Sequence, residues 1–438
     1  MFVKYLRSTE IPVLAAKIAF AVLLFVFAVT VWAPAMIICG VIVSLFIILE
    51  FDFKSIVYLF FFMSFDIMMR EMYYIIYGIF ILVMVVKYIK EVPNKKNFLP
   101  FAVATGAFIV YCFAVSVPRL SEMFFLFLGN FILLFLCLNF KINLKTLVYF
   151  FIAGVLTGVT IGLIMGYAPY GSYGLVRFSA LTGNPNRLYF YVVAGINALF
   201  VLEHKKQISW KEFVPLFSIL FAIGLTSISR NFILVFAANI IIYGVLKVLY
   251  EKKQFWKPVL IVGLCMAAAC SIMFKYTEAN LMRMNVIEGY EASVEPTKTS
   301  PDGTPLWGGT HYDPGRSRIW ELNLKDWASS PWKILFGRGV DTSLHFDGYP
   351  LLHEHNVYIF ILVRTGIVGV ILFIALWVTF FYTLFRIKKF SLFPLILIAV
   401  VMGLGLFELR FPHLYSFLFF MFFVFSLDTK TEKTKEKK

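Results

Sequence analysis

Apolar positions in this chain fall in long unbroken runs, and the polar positions collect in short clusters between them. A period-2 strand pattern or a one-sided helical stripe would interleave the two classes. A bilayer's hydrocarbon core is about 30 Å thick, which a helix crosses in about 20 residues. Runs near that length predict helical spans at 13–32, 35–50, 56–69, 72–88, 99–117, 122–140, 146–167, 188–203, 212–228, 231–249, 257–275, 357–386, 391–408 and 411–427. The run 56–69 is the shortest, so the pattern reads as about 12–14 transmembrane helices of an all-α polytopic membrane protein.

The lysines set the orientation. With the N-terminus inside, the inside segments include "EFDFK", "KYIKEVPNKK", "KINLK", "EHKKQISWKE", "YEKKQFWK", "RIKK" and the tail "KTEKTKEKK". Cytoplasmic loops accumulate such clusters. The outside segments are short except 168–187 and the large loop 276–356. The expected organisation is an N-terminal transmembrane bundle over 1–275, a large extracytoplasmic loop over 276–356, C-terminal transmembrane helices over 357–427 and a basic cytoplasmic tail over 428–438.

Composition agrees. The chain of 438 residues is 61% hydrophobic and 15% charged, with a mean hydropathy of +0.84. No soluble core hides that much apolar surface. A net charge of +15 could point to nucleic acid, but the charges sit between spans and in the tail, so no nucleic acid is expected. The start "MFVKYLRSTE" is basic. The apolar run after it continues at spanning length without a small-residue cleavage site, so it reads as a first span. Cys39, Cys112, Cys137, Cys265 and Cys270 all lie in apolar runs without a CxxC and read as small hydrophobes, with no metal site and no cofactor.

The candidate chemistry lies in cations outside the membrane. Arg177, Arg187, Arg230, Arg316, Arg318 and Arg410 fall on or near the outer face, where arginine is expected to be scarce. Arg230, in "TSISRNFILVF", sits between two spans joined by almost no loop. Its planar fork suits a phosphate; snorkelling to headgroups or an ion pair is the other reading. Arg316 and Arg318, in "GRSRIW", precede helical spacing in "SRIWELNLKDW", so they stand near a helix start where anions are favoured; an exposed charged loop is the alternative. His353 and His355 stand at the mouth of the span at 357–386. Without an acidic metal-ligand set nearby, the pair is weak as a metal site. His355, beside Asn356, is suited to take a proton from a hydroxyl, or merely to hydrogen-bond at the interface. Arg364, inside the same span, has to face the bundle or a polar cavity, with Glu408 a conceivable partner.

Five of these segments, in order, resemble the bacterial O-antigen ligase and O-antigen polymerase superfamily. His355-Asn356 is followed by nine residues and then Gly366-Ile-Val-Gly369. Arg230 with Leu234 is similar to an Arg-x3-Leu element. Gly315-Arg316 with Trp320 looks like a helix opening in the family's large outer loop. "SSPWKILFGRG", Ser329 to Gly339, and "RFSALTGNPNRLY", Arg177 to Tyr189, are similar to two further family segments.

The resemblance implies a GT-C-like membrane glycosyltransferase of the bacterial cytoplasmic membrane, with its active site on the extracytoplasmic side. The implied donor is a glycan on undecaprenyl diphosphate and the acceptor a glycan or lipid. A chain-length regulator and a flippase are the implied protein partners. It gives His355, Arg230 and Arg316 catalytic roles, without a metal. It makes Arg318, Asn356, Arg187, Arg177 and Arg364 substrate contacts. Polymerase is the favoured expectation and ligase the alternative. A flippase would need its ionisable residues at the midplane, whereas here they gather at the outer face.

Overall fold

A computed structural model describes residues 10–31, 35–50, 53–62, 64–65, 95–115, 143–166, 170–172, 175–182, 185–251, 256–283, 316–339 and 356–387. The spans expected at 72–88, 122–140, 391–408 and 411–427 lie outside these residues, as do His353, His355, Glu408 and Arg410.

The helices, in chain order, are α1 Glu10–Thr30, α2 Ala35–Glu50, α3 Phe53–Phe62, α4 Lys95–Val115, α5 Leu144–Ile164, α6 Pro185–His204, α7 Trp210–Thr226, α8 Arg230–Glu251, α9 Trp256–Ile272, α10 Phe274–Arg283, α11 Arg316–Trp327, α12 Pro331–Phe336 and α13 Val357–Ile387. Between α5 and α6 a minimal hairpin, β1 Tyr170–Ser172 and β2 Leu175–Arg177, leads into a 3-10 turn at Ala180–Thr182. Among the described residues, five helices are long and apolar enough to cross a membrane, or six counting the bent pair α9–α10. The protein is an all-α polytopic membrane protein; most described helices fall in the predicted apolar runs, but α3 ends at Phe62, short of the run expected to reach 69, and α11 and α12 lie in the expected loop.

Packing divides the described helices into two units. In one, α1, α2 and α3 pack in succession, α3 lies on α5, and α5, α6 and α7 follow side by side. Helix α6 is its core, with 89% of its span buried. Its polar positions, Asn197 among them, are better surrounded by protein than by lipid. Close approach depends on missing side chains, as between membrane helices generally. A Cβ on Gly154 of α5 would strike the Phe61 carbonyl of α3, and one on Gly195 of α6 would sit 3.1 Å from Leu220 Cδ1 of α7. At the expected cytoplasmic end, Glu212 accepts from the Ser209 backbone at 3.0 Å and pairs with Lys145 at 3.4 Å, joining the starts of α7 and α5. Burial pushes the Glu212 carboxyl up, but the Ser209 and Lys145 contacts outweigh it and hold the carboxyl below its ordinary 4.5.

In the other unit, α4 runs along α13, and α11 and α12 pack against the first part of α13. Phe101 meets Phe380 at 5.7 Å and Phe108 meets Phe373 at 6.3 Å between ring centroids, so aromatic pairs seam α4 to α13. The span expected at 257–275 ends early. The helix breaks after Ile272 and α10 leaves at 98°. The Thr277 hydroxyl takes up carbonyls freed by the break, donating to Cys270 and Met273 O at 3.1 Å each. Of the cysteines, Cys39, Cys112 and Cys265 are buried free thiols and Cys270 is half-buried, while Cys137 lies outside the described residues.

Candidate active site

The segment before α6, expected on the outer side, is a knot tied by its own arginines. Arg177 donates from Nε to Ser227 O at 3.0 Å and from Nη2 to Asn186 Oδ1 at 3.3 Å. Phe178 N donates to Thr226 O at 3.0 Å. Arg187 Nη1 donates to Thr182 O at 3.3 Å. The turn between them is tight: Ala180 has φ +50, and a Cβ on Gly162 of α5 would stand 2.7 Å from its Cα. The two arginines that the sequence offers as substrate contacts thus spend donors on holding this segment.

The turn from α7 into α8 is strained. Ser227 caps α7, its hydroxyl donating to Gly224 O at 2.7 Å, and Ile228 then takes φ +44. A β-branched residue in the left-handed region is an outlier that costs about 1–3 kcal/mol and tends to mark functional sites. Ser227, Ser229 and Asn231 around it are buried. Arg230, half-buried, is the first residue of α8, so this unusual turn fixes where its side chain starts.

Helix α11 opens at Arg316, where the spacing placed it. Position 316 is in register with Ile319 and Asn323, the two most buried residues of the helix, whereas position 318 is in register with exposed Lys325. Asn323 Nδ2 donates back to Ile319 O at 2.8 Å, which leaves Oδ1 to accept from Arg338 Nη2 at 2.6 Å. Arg338 Nη1 also reaches Asp326 at 3.4 Å, and Lys333 pairs with Asp326 at 2.6 Å. Arg338, a residue that sequence reasoning passed over inside "FGRG", is therefore the buried peg between α11 and the loop after α12.

The same loop grips α13 by backbone alone. Gly366, inside α13, has φ +66 and interrupts the helix. Gly337, ending α12, has φ +76. Arg338 N donates to Val363 O and Gly339 N to Arg364 O, each at 3.0 Å, taking up carbonyls that the break leaves open. Tyr111 of α4 donates to the next one, Thr365 O, at 2.5 Å. A Cβ on Gly369 would strike the Thr365 side chain. The Gly366-x-x-Gly369 element and the Phe-Gly-x-Gly element are thus two halves of one joint.

At the head of α13, Asn356 is buried and caps the helix: Oδ1 accepts from Tyr358 N at 2.9 Å and Ile359 N at 3.2 Å. One and two turns on, Phe360 and Arg364 lie on the same face. Arg364 is buried, with its guanidinium over the Phe360 ring at 4.5 Å. The expectation that it faces protein rather than lipid fits this burial.

Residues 215–374 match the family model described as O-Antigen ligase. That segment is an O-antigen ligase-family domain. Comparison with curated proteins gave no match. The ligase-family domain contains Arg230, Arg316, Arg318, Asn356, Arg364 and the glycine joint, and it takes in position 355. Arg177 and Arg187 precede it. The match supports a function of the O-antigen ligase/polymerase type, and the described helices are those of a multi-pass membrane protein.

Proposed function

We propose that the protein is a polysaccharide polymerase of the bacterial cytoplasmic membrane, working at its outer face. It moves a glycan from undecaprenyl diphosphate to a hydroxyl of a second lipid-linked glycan. The observation that carries this reading is the head of α13. Inside the ligase-family domain, the residue after His355 begins a helix whose same face bears a buried arginine two turns on. A proton acceptor at the helix mouth and cations below it suit a reaction that takes a proton from an alcohol and releases a diphosphate.

The acceptor oxygen attacks the anomeric carbon of the donor. The carbon–oxygen bond to the diphosphate breaks, and undecaprenyl diphosphate leaves with the electron pair. His355 takes the acceptor's proton. The leaving diphosphate gains charge as the bond breaks, so Arg230 and Arg316 lower the barrier by interacting most strongly at that point. Arg318 extends the positive surface, Arg364 adds a buried positive charge beneath it, and Arg177 and Arg187 serve mainly by shaping the segment before α6. The Asn356 carbonyl oxygen is committed to its cap, so its amide nitrogen is the group left to meet a sugar. The prenyl chain runs along an apolar wall between helices.

Ligase is the second reading, favoured by the description of the matching family. The site would be the same and the acceptor a lipid A core or another molecule. The test is transfer by purified protein given one short lipid-linked repeat, beside His355→Ala and Arg316→Ala. A ladder of lengthened lipid-linked products, absent in both variants, supports polymerase. Transfer only on adding a second acceptor supports ligase. Full turnover in both variants overturns the site.

A further inference from the structure

Helix α12 belongs to a stretch that the charge pattern assigns to the aqueous side, yet its outward face is apolar. Pro331, Trp332 and Leu335 are its exposed residues and share one side of the helix; Trp332 is 69% exposed and Leu335 46%. The cation beside them, Lys333, is held by Asp326 at 2.6 Å. Trp332 packs against Phe336 with ring centroids 4.3 Å apart and planes tilted by 45°, which gives the face a base.

The height of this face can be read from α13. Arg386, with Lys388 and Lys389 following in the sequence, anchors the inner end of the span. Counting back about 20 residues, the thickness of the hydrocarbon core, reaches Gly366. Exposure marks the same boundary. From Ile361 to Gly366 almost every residue is buried, whereas Ile367, Ile371, Ile374 and Val378 form an exposed apolar stripe below it. The joint between Gly337 and Gly366 therefore ties α12 to α13 at the edge of the hydrocarbon.

We infer that α12 is a membrane-interface foot, whose Pro331–Trp332–Leu335 face rests in the boundary layer of the bilayer. The indole suits that layer, with its apolar ring in lipid and its N–H in headgroup water. Through Arg338 the foot also fixes the height of α11, whose first residue is Arg316. The inference does not depend on the reaction proposed above.

The test places a bimane fluorophore on Leu335→Cys in the full-length protein, with the native cysteines replaced, in phosphatidylcholine/phosphatidylglycerol nanodiscs. Glu321→Cys serves as a water-exposed control and Ile374→Cys as a lipid-facing one. The expected result is blue-shifted emission at position 335, quenched by headgroup and shallow-chain spin-labelled lipids and protected from iodide. In the protein with its cysteines intact, brominated lipid should quench a component that Trp332→Phe removes. Iodide quenching equal to that of the Glu321→Cys control would place α12 in water and overturn the inference. Protection from both quenchers would show the face covered by protein and overturn it equally.

Discussion

Gly337 and Gly366 each occupy the space that the other's neighbours leave. A Cβ on Gly337 would land on the Arg364 carbonyl, and a Cβ on Gly366 would land on the Leu335 carbonyl. Both have φ near +70, the left-handed region that glycine enters without penalty. Two motifs that lie apart in the chain are therefore a single contact.

Gly337→Ala and Gly366→Ala should each lower stability by about 1–3 kcal/mol from the backbone conformation alone, and further from the overlap. Once one half is broken the other has nothing to grip, so the double variant should cost much less than the sum. Thermal midpoints of the purified variants in detergent give the comparison; simple additivity would mean that the two glycines act apart.

For Asn356, capping and substrate contact make different demands. Asn356→Ala loses the cap and should cost about 1 kcal/mol. Asn356→Asp keeps an acceptor for Tyr358 N and Ile359 N but has no amide to donate. Stability should recover in the aspartate variant. If glycan transfer stays low while the melting point recovers, the amide nitrogen meets substrate; if transfer recovers too, the residue is a cap alone.

Arg338→Lys keeps the charge but loses the fork that spans Asn323 and Asp326. A loss of about 1–3 kcal/mol is expected for hydrogen bonds to a buried charged group. Combining it with Asn323→Ala should give a coupling on the order of 1 kcal/mol. Additive losses would show that the 2.6 Å contact contributes nothing to the joint.

Glu212 gives a pH dependence with a definite sign. Its carboxyl titrates below its ordinary 4.5 in the folded protein, so the charged form is the one that folding favours. The stabilisation is complete above that ordinary value and disappears as pH falls through the lower folded one. Glu212→Gln should melt earlier than the parent protein at neutral pH, and the gap should close on acidification. A gap that stays constant with pH would remove the ion pair with Lys145 from the account.

Much of the fold can be read before any coordinates, because lipid makes a local rule: each spanning run must be apolar at about the length of the bilayer. The start of α11 at Arg316 was legible for a similar reason, since a helix declares itself in its spacing. The break after Ile272 was not, because "CSIMFKYT" stays apolar through the bend and the geometry rests on Thr277 reaching back to Cys270 and Met273. Arg338 was missed because a buried peg looks like any loop cation until Asn323 and Asp326 are seen around it. The glycine spacing was visible as a resemblance, but its meaning depends on which carbonyl faces which Cα. His355, the residue that the sequence offers as the base, lies outside the described residues, and its role rests on the sequence pattern and the helix that begins beside it.

Helix α6 bears on how the protein is made. Among the described residues it has a mean hydropathy of 1.2, against 2.3 to 2.7 for the other four single-helix spans, yet it is the most enclosed of the five, at 89% buried. On its own it has the weakest reason to remain in lipid. Its polar positions, Asn197 among them, become tolerable only once α5 and α7 surround it. During biogenesis the segment that later holds the first unit together is thus the one that depends on its neighbours to stay in the bilayer. Substitutions on the faces of α5 or α7 that meet it should show up first as failed insertion, before any effect on chemistry.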